Sequence, residues 1–272
     1  MRRLIDARRK RRWLGIARTA ISAGEENALR HFDYRATNGY SYKAHGEIVT
    51  PVDNAVNEAV RKSLRRLTPG IPVCSEEGGD ISEQQIAKTE LAWALDPIDG
   101  TTNFAARIPL WGISLALLYH GEPVVGLISL PALRQRYHAV LGEGSFMGEH
   151  RLMASKTSKL HESLGLMCYG YLGKHIGKGV RMITRFSKRV RSERVLGAAV
   201  VEAAWVAAGR ADFSILEGVH AWDVAAGALL VREAGGKALN GNGKPWKPGD
   251  EEIIFSNAKL SETVLSLYRQ KT

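Results

Sequence analysis

The stretch Leu95-Asp96-Pro97-Ile98-Asp99-Gly100-Thr101-Thr102-Asn103-Phe104 decides how the rest of this 272-residue chain is read. It sets two carboxylates three residues apart around a proline and follows them with Gly-Thr-Thr. Ahead of it, Leu91-Ala92-Trp93-Ala94-Leu95 is an apolar run of strand length, and after it the glycine and hydroxyls predict the opening of a helix. A strand that ends in acids and turns into a helix start has two chemical uses. The carboxylates can hold divalent cations, and the free N–H groups of the first turn can hold a phosphate. An ordinary Asp-x-x-Asp turn with a helix cap has the same local pattern, so the reading needs support from elsewhere in the chain.

Two further acidic clusters supply that support. Upstream, Ile71-Pro72-Val73-Cys74-Ser75-Glu76-Glu77-Gly78-Gly79-Asp80 is a short apolar run that ends in glutamates and glycines. Downstream, Ala221-Trp222-Asp223-Val224-Ala225-Ala226-Gly227 puts an aspartate at the start of an apolar helix running through Leu229, Leu230 and Val231 to Gly235-Gly236. Taken singly, the first is a solvated turn and the second a core aromatic beside a helix cap. Together they bring Glu76, Asp96, Asp99 and Asp223, a set of oxygen ligands suited to Mg2+ or Mn2+, with no Cys/His pattern that would argue for zinc.

In this order and at these separations, Glu-Glu, Asp-Pro-Ile-Asp-Gly-Thr-Thr-Asn-Phe and Trp-Asp-Val-Ala-Ala-Gly resemble the inositol monophosphatase family, over residues 46–256. The resemblance implies an α/β fold, an αβαβα sandwich of the inositol monophosphatase/fructose-bisphosphatase type. It also implies an N-terminal half (1–150) and a smaller C-terminal half (151–272), with the site between them. It implies a cytoplasmic, lithium-sensitive homodimer that hydrolyses a small phosphate monoester with two or three Mg2+ ions. By the same resemblance Glu76, Asp96 and the carbonyl of Ile98 bind the first metal, Asp96, Asp99 and Asp223 the second, and a third ion lies near Glu76. Thr101 orients the water with Asp53 as its partner, Gly100 and Thr101 receive the phosphate, and Gly197, Ala198 and Ala199 face the substrate ring. Asp53 read alone is a helix N-cap, and Thr101 a cap hydroxyl.

Inositol 1-phosphate leads among the substrates. Histidinol phosphate and fructose 1,6-bisphosphate share the motif, and the family also holds members with a transcription-related binding role. In inositol-specific members a glutamate lies seven residues before the second-metal aspartate; here Leu216 stands at that position and Glu217 one residue later. The family lysine ahead of Asp53 corresponds to Lys43, with a similar offset. No serine, cysteine or histidine has a triad-like context, so direct attack by water is preferred to a covalent intermediate.

Composition agrees with a folded chain. Hydrophobic residues make up 44%, enough for a large core. No apolar run approaches the ~20 residues that span a bilayer. Two cysteines, Cys74 and Cys168, argue for a reducing compartment and against a disulfide framework. The first twelve residues carry a net +6 of the chain's +10 and read as a solvated, frayed basic end. A second basic stretch over 174–194 reads as solvated surface, with an anionic substrate or nucleic acid as the alternative attraction. No nucleic-acid-binding motif accompanies either. Apolar spacing predicts helices over 13–32, 53–67, 198–208 and 223–234, a hairpin of 113–119 with 124–130, and strands near 137–141, 211–215 and 253–255.

Overall fold

The computed structural model describes residues 5–32, 39–43 and 46–270. The first part of the chain runs α1 (Ala7–His31), β1 (Ser41–Tyr42), β2 (Ile48–Val49), α2 (Pro51–Leu67), β3 (Val73–Ser75), α3 (Glu83–Ile86), β4 (Leu91–Asp99), α4 (Thr101–Ala105), β5 (Gly112–Tyr119), β6 (Glu122–Leu130), β7 (Gln135–Val140), β8 (Gly144–Met147) and β9 (His150–Arg151). It continues as β10 (Leu164–Tyr169), α5 (Gly173–Phe186), β11 (Ser192–Arg194), α6 (Ala199–Ala207), β12 (Phe213–Glu217), α7 (Ala221–Glu233), β13 (Lys237–Leu239), β14 (Glu252–Ser256) and α8 (Ser261–Arg269).

Strands β3 to β9 form a seven-stranded sheet in chain order, and a five-stranded sheet runs β11-β10-β12-β14-β13. Side-chain alternation assigns each face to its helices. In β4, Trp93 and Leu95 face α1 and α2, where Ala17, Ile21, Val56, Val60 and Leu64 are buried. Ala92 and Ala94 face the other way, against α6 and α7. Those two helices fill the space between the sheets and meet Leu166, Leu216, Ile253 and Phe255 from the smaller one. Its outer face, with Met167, Phe213, Ile215 and Ile254, is covered by α5 and α8. The layers are therefore α, β, α, β, α, as the resemblance implied. The middle layer can be thin because its contacts are small: a Cβ on Gly227 would stand 2.5 Å from the Ala203 Cβ. A helix buried on both sides has no polar face, which is why α7 reads as apolar all round.

Several expectations are revised. The basic N-terminal end is not frayed from residue 7 onward. Asp6 caps α1 by accepting the Arg9 N–H at 2.6 Å, Arg11 pairs with Glu143 at 2.7 Å, and Arg9 lies over the Trp13 ring. Arg2 and Arg3, counted in that charge cluster, lie outside the described residues. Asp53 is not the cap of α2: Thr50 is, and Asp53 closes the capping box from the third helical position. The basic stretch from residue 174 forms α5, whose other face buries His175, Gly179, Met182 and Phe186. Strand β12 ends two residues later than expected, at Glu217. No described helix is long and apolar enough to cross a membrane.

Deleting residues 1–12 is accordingly expected to lower Tm by about 2–6 °C, through loss of the cap and exposure of Trp13, now only 4% exposed. The described side-chain contacts of this segment run to Leu141, Glu143 and Trp13 and to none of the motif acids, so kcat should stay within about threefold, since screening confines a charge's reach to ~8–10 Å. Thermal melts and steady-state kinetics check both.

His138 on β7 gives a pH signature. Burial, with Arg18 beside it, pushes its imidazole down to about 4, and the Arg18 guanidinium lies 3.0 Å from Nε2. An unfolded histidine titrates near 6.5. Between pH ~6.5 and ~4 the unfolded chain therefore binds the proton and the folded one does not, so stability falls as pH falls, by at most about 3 kcal/mol. Urea unfolding across that window should show a shallower slope in His138→Gln than in the wild type; equal slopes would refute the assignment.

Candidate active site

The site begins where β4 stops. Residues three apart on a regular strand point to opposite faces, so Asp96 and Asp99 could not share a pocket on a flat β4. The ladder with β5 is irregular between them: Asp96 lies opposite Ser114, and Asp99 opposite Gly112. Pro97 has no N–H to donate, and the resulting bulge re-aims the strand so that both carboxylates line one cleft. The chain then turns at Gly100 in the left-handed region (φ 83°) and enters α4. The glycine is required sterically as well, because a Cβ there would stand 2.9 Å from the Ala198 Cβ.

This cleft, of about 380 Å³, brings together Glu76 after β3, Asp96, Ile98 and Asp99 from the end of β4, Gly100 and Thr101 at the start of α4, Gly197 before α6 and Ala199 at its start, and Asp223 in the first turn of α7. Ala198, expected beside them, is buried under Gly100 instead of lining the cleft. Asp53 lies behind Thr101, fully buried, with its Oδ1 accepting the Thr101 hydroxyl at 3.1 Å. Its Oδ2 accepts the Thr50 N–H at 2.9 Å and the Thr50 hydroxyl at 2.5 Å. The Thr101 hydroxyl also lies 2.9 Å from the Ile98 carbonyl.

Each of the three clustered aspartates spends one oxygen on a backbone amide. Asp96 accepts from Ile98 N at 3.0 Å, Asp99 from Val200 N at 2.8 Å and Asp223 from His220 N at 2.7 Å. These bonds hold the side chains in place without neutralising them. Burial raises the Asp96 carboxyl well above its usual range, and the charges of Glu76, Asp99 and Asp223 push in the same direction. Asp99 is pushed up to about 7 by burial, against the amides of Val200 and Ala199. Burial and then Glu76 raise Asp223.

Lys43 is the counter-charge. Its ammonium pairs with Glu76 at 2.8 Å and with Glu77; burial opposes its charge, but the two glutamates outweigh burial and hold it above its ordinary range. Among the described residues no three Asp, Glu, His or Cys side chains are drawn tightly enough together to grip an ion as they stand. The donor set nevertheless fits Mg2+ or Mn2+: it is all oxygen, and its buried carboxylates destabilise one another's charge, which divalent cations relieve.

Three sets of contacts around the cleft had no local signal in the sequence. Glu83 of α3 accepts the Ala221 N–H at 2.6 Å and bonds His220 Nδ1 at 2.9 Å, tying the start of α7 to the larger sheet's side. That bond raises His220 to about 9. Tyr171, after β10, shares a 2.9 Å hydrogen bond with the Thr102 hydroxyl across the cleft mouth. Glu217 lines the cleft, but its carboxylate accepts the Tyr268 hydroxyl at 2.6 Å and Lys178 Nζ at 2.9 Å. Leu216, beside it on β12, points into the middle layer as the two-residue period of a strand demands.

Known proteins give this arrangement a context. A sequence profile described as the inositol monophosphatase family matches residues 10–272. A Thermotoga maritima protein named fructose-1,6-bisphosphatase/inositol-1-monophosphatase is 34% identical over 224 residues, covering 82% of this chain and 83% of that one. The Nus factor SuhB of Pasteurella multocida is 32% identical over 85% of each chain. The crystal structure of extragenic suppressor protein suhB from Bartonella henselae superposes with a TM-score of 0.87 at 26% identity, covering 95% of this chain and 98% of that one.

Proposed function

We propose that this chain, which belongs to the inositol monophosphatase family, is a magnesium-dependent phosphatase of a small phosphate monoester, with inositol 1-phosphate as its leading substrate. Family members are phosphomonoester hydrolases that depend in general on Mg2+. The observation that carries the reading is the meeting of Glu76, Asp96, Asp99 and Asp223 in one cleft beside the Thr101–Asp53 hydrogen bond.

In this reading Glu76, Asp96 and the Ile98 carbonyl hold one Mg2+, and Asp96, Asp99 and Asp223 hold another; a third, weaker ion near Glu76 and replacement by Mn2+ belong to the same proposal. When bound, the ions supply Lewis-acid stabilisation of the phosphate charge and an acidified water. The chain's own residues do the rest. Asp53, fixed by Thr50, accepts a hydrogen bond from the Thr101 hydroxyl, whose other acceptor is the Ile98 carbonyl; with that carbonyl on a metal, the threonine lone pairs would be left to accept a hydrogen bond from the water. The Gly100 and Thr101 amides take phosphate oxygens, and Gly197 and Ala199 wall the ring of the substrate, with Ala198 packed behind them. Water attacks directly, because the one cysteine lining the cleft, Cys168, is held as a thiol by burial and by the acids around it.

A panel of inositol 1-phosphate, histidinol phosphate and fructose 1,6-bisphosphate, each with and without Mg2+, tests the function. Release of phosphate from none of them in Mg2+ would reject it. Engagement of Glu217 by Lys178 and Tyr268 bears on the choice among the three. If that carboxylate reads substrate hydroxyls, Glu217→Gln should raise KM for inositol 1-phosphate by about tenfold, a loss of about 1.4 kcal/mol, with little change in kcat. Lithium inhibition, a homodimer and a cytoplasmic location complete the proposal.

The basic outer residues of α5 and the resemblance to a protein named Nus factor SuhB favour one additional role, binding to RNA or the transcription machinery. Such binding should weaken steeply with salt and persist in an Asp96→Asn variant.

A further inference from the structure

Asn103, the last polar residue of the Asp-Pro-Ile-Asp-Gly-Thr-Thr-Asn run, is 8% exposed. Both hydrogens of its amide are used: Nδ2 donates to the Leu110 carbonyl at 2.7 Å and to the Leu196 carbonyl at 2.8 Å. Leu110 leads into β5 of the larger sheet, whereas Leu196 lies in the segment between β11 and α6. One planar amide thus joins the two parts of the molecule at the cleft. From Leu196 the chain turns at Gly197 (φ 71°), packs Ala198 against Gly100, and gives its Val200 N–H to Asp99 Oδ2 at 2.8 Å. Behind this segment, the Glu202 carboxylate on α6 accepts the Ser214 hydroxyl of β12 at 2.5 Å. Residues 196–200 are therefore gripped by Asn103 at one end and Asp99 at the other, both from the same β4–α4 turn.

We propose that Asn103 is a positioning residue of the site: through the Leu196 carbonyl it holds the 197–200 segment where its amide orients Asp99 and its wall meets the substrate. This rests on the phosphatase reading above. The chemistry selects asparagine. Two carbonyls need two donors from one rigid group; aspartate has none when ionised, and threonine has one. Without the amide both half-buried carbonyls lose this donor, and the segment is free to shift. A displacement of about 1 Å at a reacting geometry can cost about 10²-fold in rate.

The test compares Asn103→Ala with Val264→Ala, a cavity variant in α8 on the far side of the smaller sheet. Amide hydrogen exchange is followed at Ala199 and Val200 in the metal-free proteins, and kcat, KM and calorimetric Mg2+ affinity are measured for inositol 1-phosphate turnover. Asn103→Ala is expected to speed exchange at those two amides at least about fivefold and to lower kcat at least about fivefold at saturating Mg2+, with KM changed less than about threefold. Val264→Ala should lower Tm and do neither. Smaller changes in either exchange or kcat for Asn103→Ala, or equal changes in Val264→Ala, overturn the proposal. Asn103→Ser, which keeps one donor, carries the same comparison should the alanine variant fail to fold. If the wild type itself does not turn over in Mg2+, the phosphatase reading fails, while the exchange comparison still decides whether Asn103 holds the segment.

Discussion

Replacing Asp96, Asp99 or Asp223 singly by asparagine is expected to abolish phosphate release, by more than the about 10²–10⁴-fold that a single acid–base group contributes. The three carboxylates act as one electrostatic unit, so removing any one dismantles the arrangement that neutralises the phosphate. The fold should survive, and this separates the prediction from simple destabilisation. Each asparagine keeps an oxygen that can accept the amide its parent used, from Ile98, Val200 or His220. Each also removes a charge that burial and its neighbours already penalise. Tm of the metal-free variants should therefore equal or exceed that of the wild type, while stabilisation by added Mg2+, which scales as RT ln(1 + [L]/Kd), should shrink. Turnover by Asp223→Asn at a rate near wild type would remove the third cluster from the site.

Thr101→Ala is expected to lower kcat by about 10²–10⁴-fold while KM changes less than about threefold. Magnesium affinity measured by calorimetry should not move. The structure sharpens the reason. Asp53 Oδ2 is occupied by Thr50, so Oδ1 is left to the Thr101 hydroxyl. Threonine has one proton, shared here between the Ile98 carbonyl at 2.9 Å and Asp53 Oδ1 at 3.1 Å; with that carbonyl taken by a metal, the proton would go to Asp53 and the lone pairs would face the water. Thr101→Ser keeps that hydroxyl and should recover part of the rate. Loss of magnesium binding in Thr101→Ala would make the hydroxyl a cap and a strut for Ile98, the other partner it has.

Much of the site was legible because its residues carry their own local logic. The β4–α4 turn announces itself through an apolar run closed by the acids, Pro97 and Gly100, and the first turn of α7 through Asp223 ahead of an apolar run. Elements with weaker or mixed periods were placed less well. The first two turns of α1 are so basic that composition spoke for a frayed end, yet Asp6 caps them and Trp13 anchors them. The basic stretch of α5 conceals a buried stripe of His175, Gly179, Met182 and Phe186 for the same reason: charge is conspicuous, and a four-residue stripe is not.

What the sequence by itself determined is the chemistry and the local turns, since residue type and spacing act over a few peptide units whatever the rest of the chain does. Which carboxylates share a cleft, that Asp99 meets the amide of Val200, that Asn103 clamps Leu196, and that Glu217 is engaged by Lys178 and Tyr268 were decided only by the tertiary structure. Those contacts join residues 39 to 101 positions apart. No local preference encodes them; they follow from how five layers pack, a sum over many weak burial terms in which each pair is a consequence of all the others.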